Sequence, residues 1–313
     1  MKVVAVLNEH AGNGSARSLL PLLRVQLHAA LADVRTPRPA AEATAHVRAA
    51  VRDGADVILA AGGDGTVNAV INGMDTGNAS LALLPSGSAN DFAVQNGLTR
   101  NVQDLCRAIL RRNTRRVDLI DFNGWRYATD GGLGLCADVA RTANRMRARN
   151  SVIAGRGRLG SSLYPLAAIM TLAQTASHAL RLRIEANTWS GEVASPLLMV
   201  NNQRMLGGHF PVSPAARNDD GLFDVCMVAD RDGRYGLLRL MGAVLRGQHA
   251  GQPDIHSWQA TEMRIESDKP AVFLADGELS DPTDRFDIRV LPSALRLVVA
   301  SSKHSTQLHR RWS

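Results

Sequence analysis

Five consecutive residues, Gly62-Gly63-Asp64-Gly65-Thr66, combine features that suit a phosphate. They follow Asp56-Val57-Ile58-Leu59-Ala60-Ala61, which reads as a short buried strand. They precede Val67-Asn68-Ala69-Val70-Ile71-Asn72-Gly73, which reads as a helix closed by a glycine. Such a turn points backbone N–H groups outward, places a helix dipole behind them and lets an anion approach the main chain. A carboxylate inside it repels phosphate unless a cation lies between them, and magnesium is the usual cation at nucleotide sites. The pattern therefore predicts a Mg-nucleotide cradle. A plain glycine-rich turn is the alternative.

Two further acidic clusters stand out. Asp276-Gly277-Glu278 follows an apolar run that ends in Ala275, so a strand would reach a glycine turn and present carboxylates at an edge. A carboxylate there could take the proton of a hydroxyl acceptor, or it could be an ordinary hairpin acid. The residues leave both open. Asp219-Asp220-Gly221 reads as a turn first and as a metal site only with other support.

The elements that must position these residues change character along the chain. Up to about residue 112, apolar strands (2–8, 34–36, 56–61, 81–85) alternate with helices (16–32, 41–53, 67–73), which predicts a parallel sheet covered on both faces. Three polar turns, after residue 8, at 62–66 and at 86–91, then fall at the carboxyl ends of strands, where ligands of such sheets collect. Beyond residue 115 strands dominate. They are expected at 116–122, 125–129, 180–187, 191–200, 222–228, 263–266, 271–275, 286–291 and 295–300, with Asn123-Gly124 as a hairpin turn. Helices are expected at 137–149, 159–179 and 234–247, the first of them basic. The fold class is α/β, with a Rossmann-like parallel-sheet domain at 1–122 and an antiparallel β-sandwich domain at 123–301. The basic tail 302–313 is either disordered or docked back on the first domain.

The 313 residues, 45% hydrophobic and 21% charged, are those of a globular enzyme of two domains. Cys106, Cys136 and Cys226 lack metal-ligand spacing and leave an odd thiol, which fits a reducing cytosol. Residues 1–10 lack the apolar core of a signal peptide, and the apolar run 163–173 is too short to span a membrane. Net charge is +7. Between Arg100 and Arg158 thirteen arginines face five aspartates, which suggests an anionic partner. Aromatic residues amount to 4%, too few to interleave with arginine as a single-strand platform, so an anionic membrane surface is favoured over nucleic acid. Arginines on solvated helix faces are the plainer reading.

No Walker A lysine, metalloprotease histidine pair or protein-kinase motif set is present. Gly155-Arg156-Gly157-Arg158-Leu159-Gly160 matches G-x-G-x-x-G, but no strand precedes it, so it reads as a basic loop. Four segments in order resemble the diacylglycerol kinase catalytic family, which includes sphingosine kinases and bacterial soluble lipid kinases. They are Gly62-Gly63-Asp64-Gly65-Thr66-Val67-Asn68, Pro85-Ser86-Gly87-Ser88-Ala89-Asn90-Asp91-Phe92-Ala93, Asn218-Asp219-Asp220-Gly221-Leu222-Phe223-Asp224-Val225 and Asp276-Gly277-Glu278. The first is shared with NAD kinases and phosphofructokinases, and the second is the more specific.

The resemblance implies an ATP- and Mg-dependent kinase that phosphorylates a lipid hydroxyl. It implies that Asn8 to Gly12, Thr36, Gly62, Gly63, Asp64, Gly65, Thr66, Val67, Asn68, Ala69 and Ser88 surround ATP, with Asn90 and Asp91 beside them. Glu278 would be the general base. Asp64 would anchor the catalytic magnesium, while Asp220 with the backbone carbonyls of Arg217 and Leu222 would hold a structural one. Asp91 and Asp118 would complete an acidic network, with Asp276 in the motif of the base. The sequence departs from the family pattern at Glu9 (usually proline), Ala69 (usually glutamate) and Ser88 (usually threonine). An NAD kinase-like enzyme and a non-catalytic nucleotide-binding regulator are the competing readings. The expected setting is the cytoplasm, peripheral to the inner membrane face. Diacylglycerol, phosphatidylglycerol, a sphingoid base or another polyol lipid all fit as acceptor, and a homodimer is compatible.

Overall fold

The computed structural model describes residues 1–8, 15–37, 40–74, 79–87, 89–153, 167, 170–171, 179–206, 211–229 and 252–300. The chain divides into two compact units: Met1–Val117 together with the segment from Ser293, and Asp118–Pro292.

The first unit is built on β1 (Val3–Leu7), β2 (Leu31–Arg35), β3 (Val57–Gly62) and β4 (Ser80–Pro85). They run parallel in the order β2-β1-β3-β4. β1, β3 and β4 are buried at every position, as strands covered on both faces must be. On one face the helices α2 (Leu20–Leu27) and α6 (Val102–Leu110) bury Leu23, Leu27, Leu105, Cys106 and Ile109 against Ala5, Leu59 and Leu84. α3 (Ala40–Arg52) and α4 (Asp64–Gly73) pack together and against β3, and Gly73 lets them approach: a Cβ there would lie 2.6 Å from the Thr44 carbonyl. The short helices α1 (Ser15–Ser18) and α5 (Asp91–Gln95) complete the unit. The single helix expected over 16–32 is broken instead. Pro21 starts a new helix at its first turn, and His28, at φ 46°, ends it so that β2 can begin at Leu31.

In the second unit β5 (Thr114–Phe122) and β6 (Trp125–Tyr127) form the expected hairpin, with Asn123 and Gly124 at φ 47° and 85°. β8 (Leu180–Ala186), β9 (Ser190–Ser195), β13 (Glu262–Ala271) and the first part of β16 (Thr283–Val298) lie in the same antiparallel layer. The other sheet runs β12-β11-β10-β7-β14-β15. Its strands are β7 (Asp130–Gly134), β10 (Leu197–Asn201), β11 (Phe223–Val228), β12 (Ile255–Ala260), β14 (Leu274–Ala275) and β15 (Glu278–Leu279). Alternate residues of both sheets, among them Phe122, Tyr127, Val200, Phe223, Phe273 and Phe286, share one core, with Phe122 and Phe273 stacked at 4.2 Å. α7 (Leu135–Ile153) covers the 197–201 strand and the 274–279 hairpin.

Three elements differ from the sequence expectation for identifiable reasons. The run Gly131-Gly132-Leu133-Gly134, for which the sequence predicts no element, is a central strand. β7 is squeezed between β10 and β14, and a Cβ at Gly131 would sit 2.7 Å from the Leu274 carbonyl. Residues 191–200 form two strands in different sheets, because Pro196 has no N–H for a ladder and interrupts them. The strands expected at 286–291 and 295–300 are one, β16. Ser293 at φ 53° turns it within its length, and Arg296 and Leu297 then pair in parallel with Ser80 and Leu81 of the first unit. The end of the chain therefore returns to the first unit, whose leading segment ends at Val117. The helix expected at 234–247, most of 159–179, the 155–160 loop and the tail 302–313 lie outside the described residues. No helix among the described residues is long and apolar enough to cross a membrane. Cys106, Cys136 and Cys226 are buried free thiols. Burial pushes Cys106 and Cys226 up to about 11, which makes them poor nucleophiles at neutral pH.

The stacked pair defines the core of the second unit. Phe273→Ala should cost about 3–5 kcal/mol in urea unfolding, because Phe273 is fully buried and its ring volume would be left empty.

Candidate active site

The carboxyl ends of the four parallel strands of the first unit lie on one sheet edge, and Asn8, Thr36, Gly63 and Ser86 are the residues that leave them. The three polar turns therefore reach the same edge. The central turn is shorter than the sequence suggests. β3 runs through Gly62, α4 starts at Asp64, and Gly63 alone makes the junction. Asp64, Gly65 and Thr66 are therefore the first turn of a ten-residue helix, and no side chain caps it. Uncapped first-turn amides plus the helix dipole suit an anion.

Two glycines bring separate turns into backbone contact. A Cβ on Gly87 would lie 2.5 Å from Gly63 Cα and 3.3 Å from its nitrogen. Neither position has room for a side chain. Asn90, held at φ 55°, braces the second turn in both directions: Gly87 N donates to its Oδ1 at 2.8 Å, and its Nδ2 donates to the Gly87 carbonyl at 2.7 Å. Asn8 Nδ2 donates to Thr66 Oγ1 at 3.1 Å, which ties the end of β1 to α4. Asp64 Oδ1 accepts a long bond from Phe92 N, 3.4 Å, so Asp64 faces the start of α5, where Asp91 stands. Thr66, Val67, Asn68 and Ala69 are buried on α4, and the Ala69 carbonyl accepts from Thr44 Oγ1 of α3. Thr36 is exposed just beyond β2. Gly12 and Ser88 lie outside the described residues.

Asp276 and Glu278 divide their work. β14 and β15 make a two-residue hairpin whose turn residues, Asp276 and Gly277, have φ 49° and 86°. Asp276 is buried, and its carboxylate accepts from Ala128 N, from Thr129 N at 2.8 Å and from Thr129 Oγ1 at 2.6 Å. Its own N–H donates to the Asp130 carbonyl. A charged group so held is a brace. Glu278, paired across from Ala275, is exposed on the braced hairpin.

Asp118 and Asp220 meet at the 217–222 turn. Buried Asp118 accepts from Gly221 N at 2.8 Å through Oδ2, and its N–H donates to the Asn218 carbonyl. Asp118 thus belongs with this turn of the second unit, while Asp91 belongs to the first. Asp220 is exposed and accepts from Leu222 N at 3.1 Å. Among the described residues no three His, Cys, Asp or Glu side chains gather as a metal site. A magnesium ion at this turn would depend on backbone carbonyls, such as those of Arg217 and Leu222, and on water. Exposed Asp219 and Asp220 give the turn carboxylate oxygens of the kind that hard cation takes, with Asp219 already paired to Arg217.

Asp224 and Thr129 are the residues that sequence reasoning missed. Burial pushes the Asp224 carboxyl up to about 6; a hydrogen bond from Gln259 opposes this and the charge of Asp220 adds to it. Its signal was available, four residues after Asp220 in the same motif. Nothing around Thr129 in the sequence shows that it holds the turn at Asp276.

Comparison with known proteins also gives two regions. Residues 2–122 match the diacylglycerol kinase catalytic domain, and residues 132–299 match the YegS C-terminal NAD kinase beta sandwich-like domain. The chain is 30% identical over 309 residues to a protein named "Probable lipid kinase YegS-like" of Stenotrophomonas maltophilia, covering 93% of this chain and 94% of the relative. It is 29% identical over 259 residues to a diacylglycerol kinase of Mycobacterium tuberculosis, covering 80% and 79%. A crystal structure of a diacylglycerol kinase from Bacillus anthracis shares the fold, with TM-score 0.72 at 24% identity over 95% of this chain and 96% of the other.

Two consequences are measurable. Gly87→Ala forces the two turns apart and should lower the unfolding free energy by about 1–3 kcal/mol in urea titration. Asp224, raised in the folded state above its ordinary 3.8, holds its proton more tightly there than in the unfolded chain. Stability in metal-free buffer should therefore fall as pH rises from about 4 through about 6. Asp224→Asn should flatten that part of the profile of melting temperature against pH.

Proposed function

Given that the chain belongs to the lipid-kinase family that joins a diacylglycerol kinase catalytic domain to a YegS-type C-terminal domain, we propose that it transfers the γ-phosphate of ATP to the hydroxyl of a lipid such as diacylglycerol. The observation that carries this reading is the sheet edge where Asn8, Gly63, Asp64 and Gly87 come together. Phosphoryl transfer rests mainly on positioning and on neutralising phosphate charge. The contact between Gly63 and Gly87 sets the second turn beside the uncapped first turn of α4, where phosphate oxygens would be received. Asn90 keeps the Gly87 turn in shape for that contact. Asp64 stands at the same helix start to hold a cation against the phosphates. Magnesium, when bound, supplies positive charge to the phosphate oxygens. In the second unit Glu278 accepts the proton of the lipid hydroxyl, and Asp276 fixes the hairpin that displays it. Asp220, with Asp118 bracing its turn, holds a second, structural ion. The protein acts at the inner face of a membrane, as a peripheral enzyme of the cytoplasm.

The decisive experiment separates the two carboxylates. Labelled ATP and Mg²⁺ are first offered with diacylglycerol, phosphatidylglycerol, a sphingoid base and NAD, and the labelled product identifies the acceptor. Glu278→Gln keeps the side chain's shape but cannot take the proton, so kcat should fall by about 10²- to 10⁴-fold while ATP affinity by calorimetry holds. Asp64→Asn should weaken Mg-ATP binding and turnover together. Wild-type turnover by Glu278→Gln would show that the base is another residue, and label on NAD alone would replace the lipid reading.

The structural ion has its own test. Mg²⁺ without nucleotide should raise the melting temperature of the wild type by mass action on the folded state, and Asp220→Ala should lose that increment. A mutant that still responds fully would leave Asp220 as a turn residue only.

A further inference from the structure

The arginine excess between residues 100 and 158 is divided by the fold: Arg100, Arg107, Arg111, Arg112, Arg115 and Arg116 belong to the first unit, and those from Arg126 on to the second. In the first unit the excess meets exposed apolar side chains. α2 and α6 lie side by side on one face of the sheet and bury Leu23, Leu27, Leu105 and Ile109 toward it. Their outward positions carry Val25, 59% exposed, and Leu110, 49% exposed, two of the few large apolar side chains that the described residues leave in solvent. Beside them stand Arg24, Arg111 and Arg112, all exposed, whose guanidinium groups make no hydrogen bond or ion pair among the described residues. α2 contains no acid at all, and the one acid of α6, Asp104, is already held by Arg107.

We propose that this outer face of α2 and α6 docks the protein on an anionic lipid surface. The proposal rests on the lipid-kinase reading above, whose acceptor resides in such a surface. Two exposed aliphatic side chains, each followed or preceded in the chain by exposed arginine without an ion pair among the described residues, match the acyl boundary and the anionic headgroups in turn. A second copy of the chain would bring the same uncompensated positive charge against itself. A nucleic acid would meet no aromatic side chain on which to stack. The outer strand face of the second unit is different, because three of its arginines are neutralised: Arg183 by Glu185, Arg264 by Asp287 and Arg289 by Asp121. That face supplies a control with equal charge loss.

The test is flotation of the full chain with phosphatidylcholine vesicles, with and without phosphatidylglycerol. Three variants are compared: Arg24→Ser/Arg111→Ser/Arg112→Ser, Val25→Ser/Leu110→Ser, and the control Arg183→Ser/Arg264→Ser/Arg289→Ser. Each is checked by thermal melting. The wild type should bind only the anionic vesicles and release as salt rises. The first variant should lose roughly a hundredfold in partitioning, from about one fivefold factor per arginine. The second should lose several-fold, and the control should bind like the wild type. Turnover of a detergent-dispersed short-chain diacylglycerol should stay at the wild-type level in the first two variants, because no vesicle is engaged there. If the wild type phosphorylates neither the dispersed diacylglycerol nor any other lipid of the acceptor panel, the kinase reading fails, while flotation still judges the docking face. Unchanged binding by the first variant, or equal loss by the control, overturns the proposal. So does a self-association in sedimentation that Val25→Ser/Leu110→Ser abolishes, which would give the face to a second copy.

Discussion

The contact on which the site depends is between two stretches of bare backbone. Gly63 and Gly87 lie so close that a single methyl on the second would strike the Cα of the first. This contact brings the start of α4 and the turn after β4 together at the carboxyl edge of the sheet. It also explains why an asparagine in a left-handed conformation follows three residues after Gly87. Only a short amide side chain can bond both the N–H and the carbonyl of that glycine and hold the turn against its neighbour. The cradle proposed for phosphate is therefore a product of two junctions, and neither would form it alone.

Carboxylates in the second unit fall into two physical classes. Asp118 and Asp276 are buried and satisfied by backbone amides, so their charge is spent on fixing a turn and a hairpin. Asp220 and Glu278 are exposed on the segments so fixed. Each functional candidate is thus displayed by a structural partner near it in the chain or hydrogen-bonded to its turn. The same rule distinguishes Asp224, which has neither full exposure nor a full set of donors and consequently titrates high.

Much of this was legible from residue order. The strand before Gly62, the helix after it and the Asn123-Gly124 hairpin follow from periodicity and turn chemistry, and the structure has all three. What escaped depends on neighbours distant in sequence. Gly131 and Gly132 carry no strand signal, because nothing local reveals the two strands that crowd them. β12, with Ser257 and Gln259 outward and His256 in its middle, lacks the apolar alternation that marks a strand. The return of β16 to β4 depends on the left-handed turn at Ser293, which a serine does not announce. At the site, glycine spacing indicated a phosphate, but the contact between Gly63 and Gly87 spans β4 and is visible only in three dimensions.

The central claim is that these two junctions together receive the phosphates of a nucleotide. Hydrogen–deuterium exchange on the full chain, with and without Mg-ATP, tests it most directly. The account predicts slowed amide exchange in two separate peptides, one covering Gly63 to Val67 and the other Ser86 to Phe92, with half-saturation at the same ATP concentration. Protection of only one peptide, or of neither while ATP binds, would contradict it.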